Sequence, residues 1–246
     1  MTVRLGIDIG GTGIKGAPVD TELGDLVGER FRIDTPRKSK PQEVAKVVDR
    51  IVKHFPDTDG PIGITFPGVV ISGVVHTAAN MDKGWINFDA DRFLADMVSR
   101  PVTMMNDADA AGVAEVRFGA GRGRKGVVVM ITLGTGIGCA VFNNGVLLPN
   151  TEFGHIEIDC KDAERVASGS ARDDEKLSWK EYGKRLQKYL RKLDALLWPD
   201  LVILGGGVSK EAEKYLPDVK VRVPVVTAEL LNNAGIVGAA TLADGR

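Results

Sequence analysis

The sequence predicts an α/β protein built as two similar halves, and three observations lead there. A strand, a glycine turn and a second strand occur twice, in residues 5–20 and again in residues 127–145. Both copies contain Gly-Thr-Gly-Ile, at Gly11 to Ile14 and at Gly134 to Ile137, offset by half of the 246-residue chain. After each copy the hydrophobic period alternates between strand-like and helix-like runs, which is how an α/β layer arrangement reads in one dimension. The expected organisation is an N-terminal domain over 1–106 carrying the first hairpin and a C-terminal domain over 107–246 carrying the second. A cleft is expected between them, and a last helix over about 233–242 is expected to pack back on the N-terminal domain.

The first hairpin runs Leu5-Gly-Ile-Asp-Ile into Gly10-Gly11-Thr12-Gly13 and out through Ile14-Lys15. A dinucleotide fingerprint would need a helix directly after the glycines, and Pro18 among β-branched residues argues for a second strand instead. Residues 41–55 read as a helix opened by Pro41, with Val44, Val47, Val48 and Ile51 on one face. Residues 62–66 form an apolar strand, and a further helix is expected over 89–98. Thr103-Met-Met-Asn106-Asp107-Ala-Asp-Ala-Ala-Gly112 places Asn106 and Asp107 between a short strand and a helix start rich in small residues. The second hairpin ends in Asn144-Gly145, a pair that favours tight reversal. A polar, irregular stretch follows over 151–174. A long helix over 177–197 then carries Trp179, Tyr182, Leu186, Tyr189, Leu190 and Leu193 at spacings of three and four. A buried strand over 201–204 enters Gly205-Gly206-Gly207.

Composition narrows the function classes. Hydrophobic residues make up 43% of the chain, enough for globular cores. Thirty-two Lys and Arg against thirty-three Asp and Glu leave a net charge of −1. That removes the global positive field of a nucleic-acid or membrane-surface binder, so any polyanion site must be a local patch. Cys139 and Cys160 cannot make a disulfide framework, and residues 1–6 lack the apolar core of a signal peptide, so a cytoplasmic protein is expected. The longest apolar run, 127–142, is broken by Gly134, Gly136 and Gly138 and falls short of the ~18 to 20 residues of a membrane helix.

The glycine turns carry the chemistry. Without a Cβ, backbone N–H groups can approach an anion closely, and two such turns with Thr12 and Thr135 beside them suit a phosphate chain. A tight hairpin that needs glycine for geometry alone is the plainer alternative for either turn. Asp8, at the end of the first strand, is placed to hold Mg²⁺ through water, since hard cations choose carboxylate oxygen. Asp107, at the end of a strand, suits a proton acceptor for a substrate hydroxyl; helix capping is its alternative. Glu152, His155 and Glu164 supply the acceptors and the ring that a polyhydroxylated ligand requires.

In this order the strings Gly-Ile-Asp-Ile-Gly-Gly-Thr (6–12), Asn-Asp-Ala-Asp-Ala-Ala-Gly (106–112), Leu-Gly-Thr-Gly-Ile-Gly (133–138) and Glu-Phe-Gly-His (152–155) resemble the ROK family of sugar kinases over essentially the whole chain. Thr65-Phe-Pro-Gly-Val-Val70, Thr77-Ala-Ala-Asn80, Leu197-Trp-Pro-Asp-Leu201 and Leu231-Asn-Asn-Ala-Gly-Ile-Val-Gly238 are similar to the family's polyphosphate-using glucokinases. The resemblance implies an actin-like (ribonuclease H-like) fold and phosphoryl transfer to the 6-hydroxyl of glucose from inorganic polyphosphate, with ATP as a second donor. It makes Asp107 the general base and assigns Gly68, Asn80, Asn106, Glu152, His155 and Glu164 to the sugar. It assigns Gly10, Gly11, Thr12, Gly13, Gly134, Thr135 and Gly136 to the donor, with Gly205, Gly206 and Gly207 as the nucleotide-side loop. It also implies a homodimer. An ATP-dependent hexokinase of the same family and a non-catalytic sugar-binding regulator are the alternatives.

Two departures from the family pattern matter. Many members carry a cysteine-rich zinc loop after the Gly-His pair, whereas residues 156–164 hold only Cys160, too few ligands for a closed tetrahedral site, so no zinc is expected. Gly13 stands where much of the family has Lys, and Lys15 is the nearest replacement as a phosphate ligand. For a polyphosphate track, Lys180, Lys184, Lys188 and Arg191 on the long helix compete with Arg117, Arg122, Arg124 and Lys125.

Overall fold

The computed structural model describes residues 1–244. Its elements begin with β1 (Val3–Ile9), β2 (Gly13–Asp20), β3 (Asp25–Leu26), β4 (Phe31–Asp34), α1 (Pro41–His54) and β5 (Ile62–Phe66). They continue with β6 (Val70–Ile71), β7 (Val74–Val75), β8 (Phe88–Asp89), α2 (Ala90–Val98), β9 (Val102–Asn106) and α3 (Asp107–Phe118). Next come β10 (Val127–Leu133), β11 (Ile137–Asn143), β12 (Val146–Leu148), β13 (Glu157–Ile158), β14 (Lys161–Asp162), α4 (Glu164–Ala167) and α5 (Gly169–Asp174). The chain closes with α6 (Trp179–Leu197), β15 (Leu201–Gly205), β16 (Val225–Thr227) and α7 (Ala234–Thr241).

Two compact units result. One comprises Met1–Ala114 with the segment from Asn233 onward, and the other comprises Glu115–Asn232. The boundary expected at residue 106 therefore moves into α3. The physical reason is close packing of α7 on the first turns of that helix: a Cβ on Gly238 would lie 1.8 Å from the Ala110 carbonyl oxygen.

In the first unit the sheet order is β3-β2-β1-β5-β9, with β4 added to β2. β1 and β2 are antiparallel, while β1, β5 and β9 run parallel. Alternation divides the faces of the sheet. Leu5, Ile7 and Ile9 of β1 and Ile62, Ile64 and Phe66 of β5 join Val44, Val48 and Ile51 of α1 in one core. The intervening residues face α7. That helix is apolar nearly all round, with Ile236, Val237, Ala239 and Ala240 buried, as a helix inside a core must be. It reaches the sheet because Gly63 presents no side chain; a Cβ there would fall 1.8 Å from the Ala239 carbonyl oxygen.

The second unit repeats the plan in the order β12-β11-β10-β15-β16. Its hairpin β10/β11 is antiparallel and β10, β15 and β16 are parallel. Val129, Ile131 and Leu133 pack with Tyr182, Leu186, Tyr189, Leu190 and Leu193 of α6. α6 starts two residues later than expected because Ser178 and Glu181 form a reciprocal capping box. The stretch expected to be irregular, 151–174, holds the β13/β14 hairpin and two short helices. Among the described residues no helix is long and apolar enough to cross a membrane.

Candidate active site

In the first unit the glycine turn closes with the Gly10 amide donating to the Gly13 carbonyl at 3.1 Å. Gly11 and Thr12 are exposed at its tip. Asp8 ends β1, where its Oδ1 accepts the Thr65 hydroxyl at 2.6 Å and its Oδ2 pairs with the Lys15 ammonium at 3.0 Å. The pairing follows from register, since Asp8 and Lys15 stand directly opposite on β1 and β2. Lys15, expected as a phosphate ligand in place of a lysine at residue 13, is thus placed beside Asp8. Each Asp8 oxygen retains a second lone pair, so the carboxylate fits a water-bridged cation such as Mg²⁺.

At the end of β9, Asn106 is buried and makes two bonds. Its Oδ1 accepts the Asp109 amide at 2.9 Å, capping α3, and its Nδ2 donates to the Gly68 carbonyl at 3.1 Å. Gly68 is held close to Thr77, whose carbonyl oxygen lies 2.3 Å from where a Gly68 Cβ would be. Asn80, three residues beyond Thr77, is exposed. Asp107 begins α3 and accepts the Ala108 amide at 2.8 Å. Asn106 thus takes the Asp109 amide and Asp107 the Ala108 amide, both in the first turn of α3.

In the second unit the cluster expected for the sugar assembles. His155 Nδ1 lies 3.0 Å from Asp162 Oδ2, and its Nε2 lies 3.7 Å from Glu152 Oε2. The Asp162 hydrogen bond is the main cause holding the His155 pKa above its ordinary value. Burial raises the Glu152 pKa, partly offset by His155. Asp162 Oδ1 also accepts the Glu164 amide at 3.1 Å, so one carboxylate fixes both the ring and the residue that begins α4. Glu164 reaches the second glycine turn, its Oε2 accepting the Ile137 amide at 3.4 Å. A hollow of about 390 Å³ opens against Glu152 and His155, walled by Leu148, Phe153 and Ile156.

His155, Asp162 and Glu164 bring ligand atoms within 4.8 Å of one another. Their oxygen-rich set lacks the thiolates of a closed zinc site, and Cys160 sits exposed at the β13/β14 turn. Asp159 and Cys160 both adopt positive φ there, 52° and 60°, as a two-residue hairpin turn requires.

A second cavity of this unit, about 630 Å³, is lined by Gly134 and Thr135 of the turn, Gly207, Arg172, Trp179 and Lys214. The glycine loop after β15 has separate tasks. Gly206 has φ +80° and lies against the Leu133 backbone, where a Cβ would come within 2.4 Å of the carbonyl oxygen. Gly207 has open space beside it and lines the cavity. The Arg172 guanidinium carbon lies 3.7 Å over the Trp179 ring, and Tyr215 stacks on that ring at 5.7 Å. Of the two basic stretches read from the sequence, neither lines this cavity; Arg172 and Lys214 do. Sequence reasoning did not single out these two or Asp162, because only the fold brings each to its neighbours. The Asp162-Ala-Glu164 spacing was the one visible signal.

Comparison with known proteins gives a consistent picture. The profile of the ROK family matches residues 4–171. A polyphosphate glucokinase of Mycobacterium tuberculosis (strain CDC 1551 / Oshkosh) is 49% identical over 237 residues, covering 96% of this chain and 89% of the relative. The crystal structure of an inorganic polyphosphate/ATP-glucomannokinase from Arthrobacter sp. strain KM is 52% identical with a TM-score of 0.94, covering 98% of this chain and 97% of that one. A ROK family glucokinase from Streptomyces griseus, in complex with glucose and AMPPNP, is 28% identical with a TM-score of 0.85, over 98% and 99% of the two chains.

Proposed function

The chain belongs to the ROK family, with its actin-like fold, and from that premise we propose that it phosphorylates the 6-hydroxyl of glucose with inorganic polyphosphate, using ATP as a second donor. The hydroxyl oxygen attacks the terminal phosphorus in line, its proton passes to the Asp107 carboxylate, and the bridging P–O bond breaks to release polyphosphate shortened by one unit. By family resemblance, Asn106, Gly68 and Asn80 are the sugar-side residues of the first unit, and Glu152, His155 and Glu164 are those of the second. The turn 10–13 is the donor-side element of the first unit; the turn 134–136 and the loop 205–207 are those of the second. Phosphoryl transfer relies on positioning and charge neutralisation more than on covalent chemistry. A divalent cation, held through water by Asp8, would neutralise donor charge when bound.

The role of Asp107 is supported by one observation: it stands directly after the parallel strand β9, at the start of α3. Retention of the Gly205 to Gly207 loop along a cavity of about 630 Å³, within the usual size of a small-molecule site, supports ATP as an additional donor. The cytoplasm and a homodimer are the expected setting and assembly. The reading is tested by supplying long-chain polyphosphate or ATP, each with and without Mg²⁺, and measuring glucose 6-phosphate. Asp107→Asn should lower kcat by roughly 10² to 10⁴ while glucose affinity stays within a few-fold. Undiminished turnover would remove Asp107 from the mechanism, and no product with either donor would overturn the activity.

A further inference from the structure

We propose that Arg32 is the phosphate-binding cation of the first glycine turn, occupying the volume that residue 13 leaves empty. The inference rests on that turn being a donor site. Gly13 carries no side chain, and a Cβ built on it would lie 2.5 Å from Arg32 Nε, 2.6 Å from Nη2 and 2.7 Å from Cζ. The guanidinium from β4 therefore stands where a side chain of residue 13 would begin. It is tied to the turn itself, since Nη2 donates to the Thr12 carbonyl at 3.0 Å. The end of β4 is stitched to the same turn by Thr35, whose hydroxyl donates to the Gly10 carbonyl at 2.6 Å.

Arg32 has the capacity that a phosphate ligand needs. A guanidinium offers five N–H donors in a rigid fork. Thr12 and the Asp34 carboxylate, 2.7 Å from Nη1, engage two of its nitrogens. The side chain is 54% exposed, and Asp34 is 84% exposed, so the counter-charge is well solvated and its hold is weak. Lys15 is only 25% exposed and is bonded to Asp8. Of the two cations opposite one another on β2 and β4, Arg32 is the one a large anion can reach. The ligand is a phosphate of the donor, whether the donor is linear polyphosphate or a nucleoside triphosphate.

The test combines Arg32→Gln, Gly13→Lys and the double variant, with melting curves as the check on folding. Arg32→Gln should raise the donor KM about tenfold or more for polyphosphate and for ATP, the usual scale for losing a charge-assisted contact, with the glucose KM nearly unchanged. The slope of log KM for polyphosphate against log salt should become shallower by about one, as for one lost phosphate contact on a polyanion. Gly13→Lys in the Arg32→Gln background puts an ammonium in the vacated space and should recover much of the lost donor affinity. Calorimetric binding of polyphosphate to the parent and variant proteins needs no turnover, so it separates this inference from the proposed reaction. An unchanged polyphosphate Kd and salt slope in a folded Arg32→Gln protein would overturn it. So would a donor defect that the double variant deepens.

Discussion

At the scale of single residues, Asp162 has the clearest positioning role. A carboxylate only accepts, so its bond to His155 Nδ1 places the hydrogen on that nitrogen and leaves Nε2 to face Glu152. Because the folded pKa of His155 is raised, the linked stability is fully present below about pH 6.5, the ordinary value, and is lost as pH climbs through the folded pKa. The ring is more than half exposed, which keeps that contribution small. Asp162→Asn should move the His155 midpoint, followed by imidazole ¹⁵N shifts, down towards its ordinary value. It should also raise the glucose KM several-fold with kcat nearly kept. A midpoint that stays in place would remove Asp162 as the cause. The sequence made His155 and Glu164 visible through their motifs, but the partner that orients them emerges only once β13 and β14 pair.

At the scale of elements, α3 does two jobs at opposite ends. Its first residue, Asp107, follows Asn106 at the end of β9. Further along, the buried Glu115 accepts the amides of Ala120 at 3.0 Å, Glu229 at 3.1 Å and Leu230 at 2.7 Å. Those three bonds pin the segment preceding α7. Glu115→Leu would leave three part-buried donors without their acceptor, so chemical denaturation should show a loss of about 1 to 3 kcal/mol. A loss below about 1 kcal/mol would mean that water or a backbone shift replaces the bonds. The strand-turn-strand units, α1, α6 and β15 were legible because their apolar spacing matches their burial. The short elements between 151 and 174 were not, since helices of four and six residues contain too few turns to show a period.

At the scale of the whole molecule, each unit owns a complete hydrophobic core, and the chain passes between them inside α3 and again at Asn233. α7 belongs to the first unit although it lies near the end of the sequence. Deleting residues 233–246 should therefore expose the α7-facing side of β1 and β5. In hydrogen exchange, amides of β1 and β5 should lose protection while those of β10 and β15 keep theirs; equal loss in both sheets would contradict two separate cores. By itself the sequence determined the duplicated hairpins, the alternation of faces, the local character of any polyanion site and the motifs of a sugar kinase, because period, glycine placement and charge count are local properties. Only the tertiary structure decided which cation stands at the first glycine turn, and what holds His155. Those contacts join residues 7 to 20 positions apart, and strand register, which one residue's slip would reverse, selects the pairs.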